Sequence, residues 1–370
     1  MFKFVIVFAV ILLSFNYLSL AQANSSAYKT RMKTAYTNPQ LTVEILLDSA
    51  QHYLKIDKDR SFEFLEQAYL LSLKKEFTNK HYLVLCQLGD FYAFYQQPDL
   101  AAVNYEKSLK FQQNNSAAYF TYLIKAGNQY LLAKQAHRSL GLYQQFYTNK
   151  MDGKNKMILY ESVGDAYLEL KKSDSAYHFF QKAELLSRKL ELQEANTLLK
   201  IKMAKALTVK DKVKALELLS EANTQSKHQN NKKIEIEAGV ELADYYQENS
   251  LNQQEIETRN SNINSLEENR KELESQAVDV DQQKTDEQIN LAKSYVRQNK
   301  YRQAIDLLDI IDIKSVETKV EQLELKKESA KVRSEAYRKI GNENKALESY
   351  QEYVQTLDQL TMQKELDYTN

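Results

Sequence analysis

Glu161 and Asp165 stand four residues apart, one turn of an α-helix, so both carboxylates would leave the same face. Paired carboxylates are the group set of general acid–base chemistry, one donating a proton while the other accepts. The same spacing is ordinary on a solvated helix face. Nothing else in the chain completes a reactive set, for it has no G-x-x-x-x-G-K-[ST] phosphate loop, no G-x-G-x-x-G and no G-x-S-x-G. His52, His81, His137, His178 and His228 never approach one another at metal-ligand spacing, so neither a metal nor a cofactor is expected. Cys86 is the only cysteine; it excludes an internal disulfide and reads as a small apolar residue on a packed helix. The expected class is a chain that binds rather than catalyses.

The stretch that must position the carboxylate pair is Tyr160 to Ala183, a complete helix-turn-helix unit. Tyr160, Val163 and Tyr167 share one face of a first helix, and Ala176, Phe180 and Ala183 share one face of a second. Gly164 removes a side chain where the two backbones would be held apart. Lys171 to Ser175 supplies a polar turn, with Ser173 or Asp174 expected to cap the second helix.

This unit resembles a tetratricopeptide repeat (TPR): a large residue, a large-small pair and an aromatic on the first helix, then small, aromatic, small on the second. The pattern recurs. Leu85, Leu88, Gly89 and Tyr92 lead to Ala101, Tyr105 and Ser108, with Pro98 in the turn; Leu123, Ala126, Gly127 and Tyr130 lead to Ser139, Tyr143 and Phe146. Leu199 and Ala206 lead to Ala215, Leu219 and Ala222, and a degenerate first copy spans Leu41 to Leu54 and Ser61 to Leu73 after the Asn38-Pro39 helix start. The small residues that open the second helices, Ser61, Ala101, Ser139, Ala176 and Ala215, are 40, 38, 37 and 39 residues apart. The usual period is about 34, so each hairpin is expected to carry roughly one extra turn of about 3.6 residues.

Beyond a polar turn at Ser226 to Lys233, Ile234 to Tyr246 begins a sixth unit, but Glu255 stands where its second helix should open with a small residue. Ile263, Leu266, Arg270, Leu273, Ala277 and Val280 then follow spacings of three and four, the a/d seam of a coiled coil. Residues 251–285 are therefore expected to form a long helical or coiled-coil-like insertion, with homodimerisation through 256–280. Two further repeats follow: Leu291, Ala292 and Tyr295 with Ala304, Leu308 and Ile311, then Ala330, Ser334 and Tyr337 with Gly341 in the turn and Ala346, Tyr350 and Tyr353. The expected fold is an all-α, right-handed α-solenoid of about eight TPR-like hairpins over 24–250 and 286–370.

Residues 1–23 read as a secretory signal peptide: Lys3, the apolar run Phe4 to Leu13, and Ala21-Gln22-Ala23 before Asn24. An exported chain of the bacterial periplasm or envelope is expected, with membrane contact only through an uncleaved signal or a span beyond Asn370. The sequons at Asn24 and Asn114 matter only in a host that glycosylates. Seven Gly and two Pro in 370 residues fit continuous helix. Fifty basic and fifty acidic residues, without a basic stripe, exclude nucleic acid as an expected partner.

The resemblance implies a concave groove lined by first helices. The residues flanking the packing positions, Cys86, Asp90, Ile124, Asn128, Glu161, Asp165, Lys200 and Leu207, would line it and suit an extended peptide carrying Lys or Arg among apolar side chains. The basic clamp by which some TPR domains hold a C-terminal carboxylate is not reproduced, because Glu161 and Ile201 stand where Lys and Arg would be required. Two readings follow: an exported interaction scaffold binding a protein or peptide in this groove, or the extracytoplasmic sensor region of a bacterial two-component or transcriptional-regulator system.

Overall fold

The computed structural model describes residues 39–74, 80–112, 116–144, 151–316 and 318–369. The signal-like residues 1–23, the sequon residues Asn24 and Asn114, Asn38 and Phe146 lie outside them. The described residues form α-helices, one short 3-10 turn at Ile313–Ser315 and no strand.

Two compact units divide the chain. The first, Met1–Asn149, contains α1 (Pro39–Tyr53), α2 (Lys58–Ser72), α3 (His81–Phe94), α4 (Pro98–Leu109), α5 (Ala117–Leu132) and α6 (Ala136–Gln144). They pair as three hairpins, α1/α2, α3/α4 and α5/α6, and α2 and α4 also pack on the helix that follows each of them. The second unit, Lys150–Asn370, contains α7 (Gly153–Glu169), α8 (Ser173–Lys189), α9 (Gln193–Leu207), α10 (Lys212–Gln229), α11 (Lys232–Glu248), α12 (Asn252–Glu268), α13 (Arg270–Ser275), α14 (Val280–Arg297), α15 (Tyr301–Asp309), α16 (Lys319–Lys339) and α17 (Glu343–Thr369). Its hairpins are α7/α8, α9/α10, α11/α12, α14/α15 and α16/α17. Eight described hairpins stand where about eight are expected.

A shared close approach sets the pairing within three of these hairpins. A Cβ on Gly164 would lie 2.4 Å from the Phe180 ring, one on Gly89 2.4 Å from Tyr105, and one on Gly127 2.2 Å from Tyr143. The ring of the second helix fills the space that a side chain on the first would need. Phe180, Tyr105 and Tyr143 are consequently 0%, 2% and 1% exposed.

The turns are equally regular. The carbonyl of the first-helix tyrosine accepts from the N–H five residues on at Tyr92, Tyr130, Tyr167, Tyr246, Tyr295 and Tyr337, at distances of 2.7 to 3.0 Å. The residue before that donor is left-handed in each case: Gln96, Lys134, Lys171, Ser250, Asn299 and Gly341. This is the Schellman closure of a helix C-terminus, built here mostly without glycine. It also moves two expected boundaries. Ser173 and Asp174 lie within α8 and do not cap it, since the closure puts Lys172 at the N-cap with no side-chain bond; Asp174 instead meets the positive end of the helix dipole. Pro98 opens α4 as its first residue rather than sitting in the turn, because its missing N–H is unneeded there.

The polar run 226–233 is mostly helix. α10 continues to Gln229, and the break falls at left-handed Asn230, after which the Asn231 side chain caps α11 through the Ile234 N–H. The segment 251–285 is not one long helix. α12 ends at Glu268, α13 is a six-residue piece, and Ala277 is left-handed before α14. Leu266, Leu273 and Val280 converge with Ile236 and Val278 in one core cluster. Three of the six residues of the stripe are therefore used inside the unit, where the chain folds back on α11.

Candidate binding face and a buried polar joint

In the first unit, Asp90 on α3 accepts from the Tyr105 hydroxyl at 2.7 Å and from Lys125 Nζ on α5 at 2.6 Å. The Lys125 ammonium also sits 5.5 Å and 5.2 Å from the ring centres of Tyr105 and Tyr122, within cation–π range. One lysine thus ties consecutive first helices together. Burial, reinforced by the bond to Asp90, holds the Tyr105 hydroxyl well above the ordinary phenol range. Ile124 is half-buried, and exposed Asn128 accepts from the Tyr143 hydroxyl at 3.0 Å. Cys86 is not on the lining: it is 1% exposed, and burial pushes its thiol up to about 11. Its place flanks the packing positions in sequence, but α3 is covered there by the neighbouring helices.

In the second unit, the acid pair of α7 is occupied by a residue the spacing does not single out. Lys202 Nζ on α9 donates to Glu161 Oε1 at 2.7 Å and to Asp165 Oδ2 at 2.7 Å. All three side chains are only a quarter to a third exposed, at 25%, 25% and 32% for Lys202, Glu161 and Asp165. Burial keeps the Asp165 carboxyl above the ordinary range even with Lys202 beside it. Burial also opposes charge on Lys202, but the two carboxylates outweigh it and hold its ammonium above the ordinary lysine range. One turn further on, Lys205 pairs with Glu241 on α11 at 2.5 Å. Lys200 pairs with Glu221 on α10 at 2.8 Å, and Leu207 is buried rather than lining a surface, since it faces the core of its unit.

The arrangement is a ladder of charges shared between successive first helices. Its chemistry is charge pairing: two carboxylates divide one ammonium, leaving a residual negative charge at α7. Lys202 has a sequence signal. It stands thirty-nine residues beyond Val163, one period on, where the pattern calls for a large apolar residue.

A second polar cluster replaces a hairpin core outright. Counting from Gly164, the packing residues Ala176, Phe180 and Ala183 stand twelve, sixteen and nineteen residues on; counting from Ala243, the same places hold Glu255, Arg259 and Asn262. All three are buried, at 0%, 0% and 6% exposure. The Arg259 guanidinium donates to Glu255 at 3.0 Å, Glu287 at 2.9 Å, Asp244 at 2.7 Å and Gln247 at 3.0 Å. Asn262 donates to the other Glu287 oxygen at 3.0 Å; both Glu255 oxygens accept from one Arg297 nitrogen at 2.7 Å, and one of them also accepts from the Ser294 hydroxyl at 3.0 Å. Burial pushes the Glu287 carboxyl up, although Arg259 and Asn262 oppose it. α11, α12 and α14 are joined through ions where the other covered hairpins use Leu, Tyr or Phe packing. Among the described residues no group of three or more His, Cys, Asp or Glu side chains is placed to hold a metal ion.

These stacked hairpins define the class: an all-α array of TPR-like repeats. No protein-family model matches the chain, and no curated protein matches it. Solved structures share the fold. A signal-transduction ATPase with numerous domains from Pyrococcus horikoshii, carrying a tetratricopeptide repeat sensor, aligns with a TM-score of 0.55 at 11% identity over 96% of this chain and 54% of its own. Aspartyl phosphate phosphatase F from Bacillus subtilis aligns with a TM-score of 0.53 at 14% identity over 96% and 90%. A Rap protein complexed with Competence and Sporulation Factor gives 0.50 at 13% identity over 88% and 100%. This chain spans about half the length of the first and nearly all of the other two.

Proposed function

We propose that this chain is a non-catalytic scaffold that binds a protein or peptide segment along the first-helix face of its second unit. The observation that carries the reading is Lys202 shared between Glu161 and Asp165. The site holds two carboxylates and one ammonium on half-buried helix faces, so an incoming Lys or Arg completes the charge balance or displaces Lys202 outright. A peptide with basic groups among apolar ones has the chemistry to do so. Balanced overall charge fits a protein ligand better than nucleic acid. That a structurally similar Rap protein was solved in complex with Competence and Sporulation Factor supports a bound partner here. The signal-like residues 1–23 support export, which would put the partner in the cell envelope.

The test is affinity capture from the envelope fraction with the wild-type chain and with Glu161→Gln/Asp165→Asn, whose melting is measured in parallel. A partner held by the wild type and lost by a folded variant supports the reading. Equal retention removes the α7–α9 face from it. A second reading, the sensory region of a signalling protein, is favoured by the likeness to an ATPase whose TPR region is described as its sensor. The two separate on whether the captured partner is a signalling component.

A further inference from the structure

Every second helix that is followed by another helix of its own unit is covered on both sides. α2, α4, α8, α10, α12 and α15 each pack on the first helix of their own hairpin and on the helix that follows. Four residues beyond the opening small residue, they place Leu65, Tyr105, Phe180, Leu219, Arg259 and Leu308, and all are 0% to 2% exposed. The equivalent residue of α17 is Tyr350, at 54%. It belongs to a stripe of Leu347, Tyr350, Val354 and Leu357, at 58%, 54%, 38% and 39%, whose spacings of three, four and three are those of a two-helix seam.

We infer that this face of α17 docks an amphipathic helix with a basic rim, independently of the peptide face proposed above. The spacing calls for a helix, and charge decides its chemistry. Where second helices carry acids towards the helix that follows, those acids meet donors on it: Glu106 accepts from the Tyr130 hydroxyl, Glu184 from Asn196 at 3.1 Å, and Asp309 pairs with Arg333 at 3.4 Å. α17 carries exposed Glu343 in line with its stripe and exposed Asp358 beside it, while its two lysines are engaged elsewhere, Lys345 over the Tyr337 ring and Lys364 with Glu324. A second copy of α17 would set acid against acid. A helix bearing Lys or Arg on either side of its apolar face would supply the donors that this face lacks.

The test titrates the full chain with two labelled synthetic helices of identical apolar face, one flanked by lysines and the other by glutamates, and follows fluorescence anisotropy. The lysine peptide should bind at least tenfold more tightly, weaken as salt rises, and lose at least tenfold on Val354→Asp. Glu343→Lys/Asp358→Lys, exposed changes that leave the apolar stripe intact, should reverse the preference. Equal binding of both peptides, binding unaffected by Val354→Asp, or absence of binding would overturn the proposal. So would a chain that dimerises in sedimentation through this stripe without binding either peptide, which would make a second copy the occupant.

Discussion

Arg259 fills in the sixth hairpin the place that Phe180 fills in the fourth, sixteen residues beyond the small residue of the first helix, and both are fully buried. An aromatic ring packs there without electrostatic demands. A guanidinium requires carboxylates to follow it inside, and Glu255 and Glu287 do. Removing one member of such a set leaves charges stranded: Arg259→Met should cost about 3–5 kcal/mol in chemical denaturation. Replacing the set together, as Glu255→Ala, Arg259→Phe, Asn262→Ala and Glu287→Met, restores the hairpin pattern and should recover most of that loss.

The same joint gives a pH signature. Burial holds the folded Glu287 carboxyl above its ordinary value, so the native state binds this proton more tightly than the unfolded chain. Its contribution is therefore favourable at low pH and is lost as pH rises from the ordinary glutamate range, about 4.3, through the raised folded value. Glu287→Gln should flatten that portion of the stability profile relative to wild type, measured by urea midpoints from acid to neutral pH. An unchanged difference across the range would contradict it.

Lys171 and Lys134 adopt left-handed backbone at φ 57 and 60, where a side chain is strained and glycine is not. Lys171→Gly should raise stability by roughly 1 kcal/mol, visible as a higher melting temperature.

Two glycines separate packing from helix propensity. Gly164→Ala drives a methyl into the buried Phe180 ring and should cost about 1–3 kcal/mol. Gly141, inside α6 with nothing within 4 Å of an added Cβ, should gain up to about 1 kcal/mol on substitution by Ala. Thermal unfolding of the two variants in parallel distinguishes the effects.

Hairpin number and the close approach at Gly164 were legible because both follow from residues in local register. Small and aromatic residues recur every 37 to 40 positions whatever the neighbouring repeat does. Glu161 and Asp165 were legible as a pair for the same reason, being one helical turn apart. Their partner was not: Lys202 is one repeat away, and only the stacking of α7 on α9 brings its ammonium to both carboxylates. The breaks within 251–285 were not legible, because an a/d stripe says only that one face is apolar and neither Asn269 nor Ala277, where the helix ends, is a strong stop. Local periodicity by itself determined the helices, the hairpins and the close approach of glycine to ring. Tertiary packing alone decided which charges meet and which apolar faces stay open, because burial and electrostatic pairing are set by neighbours distant in sequence.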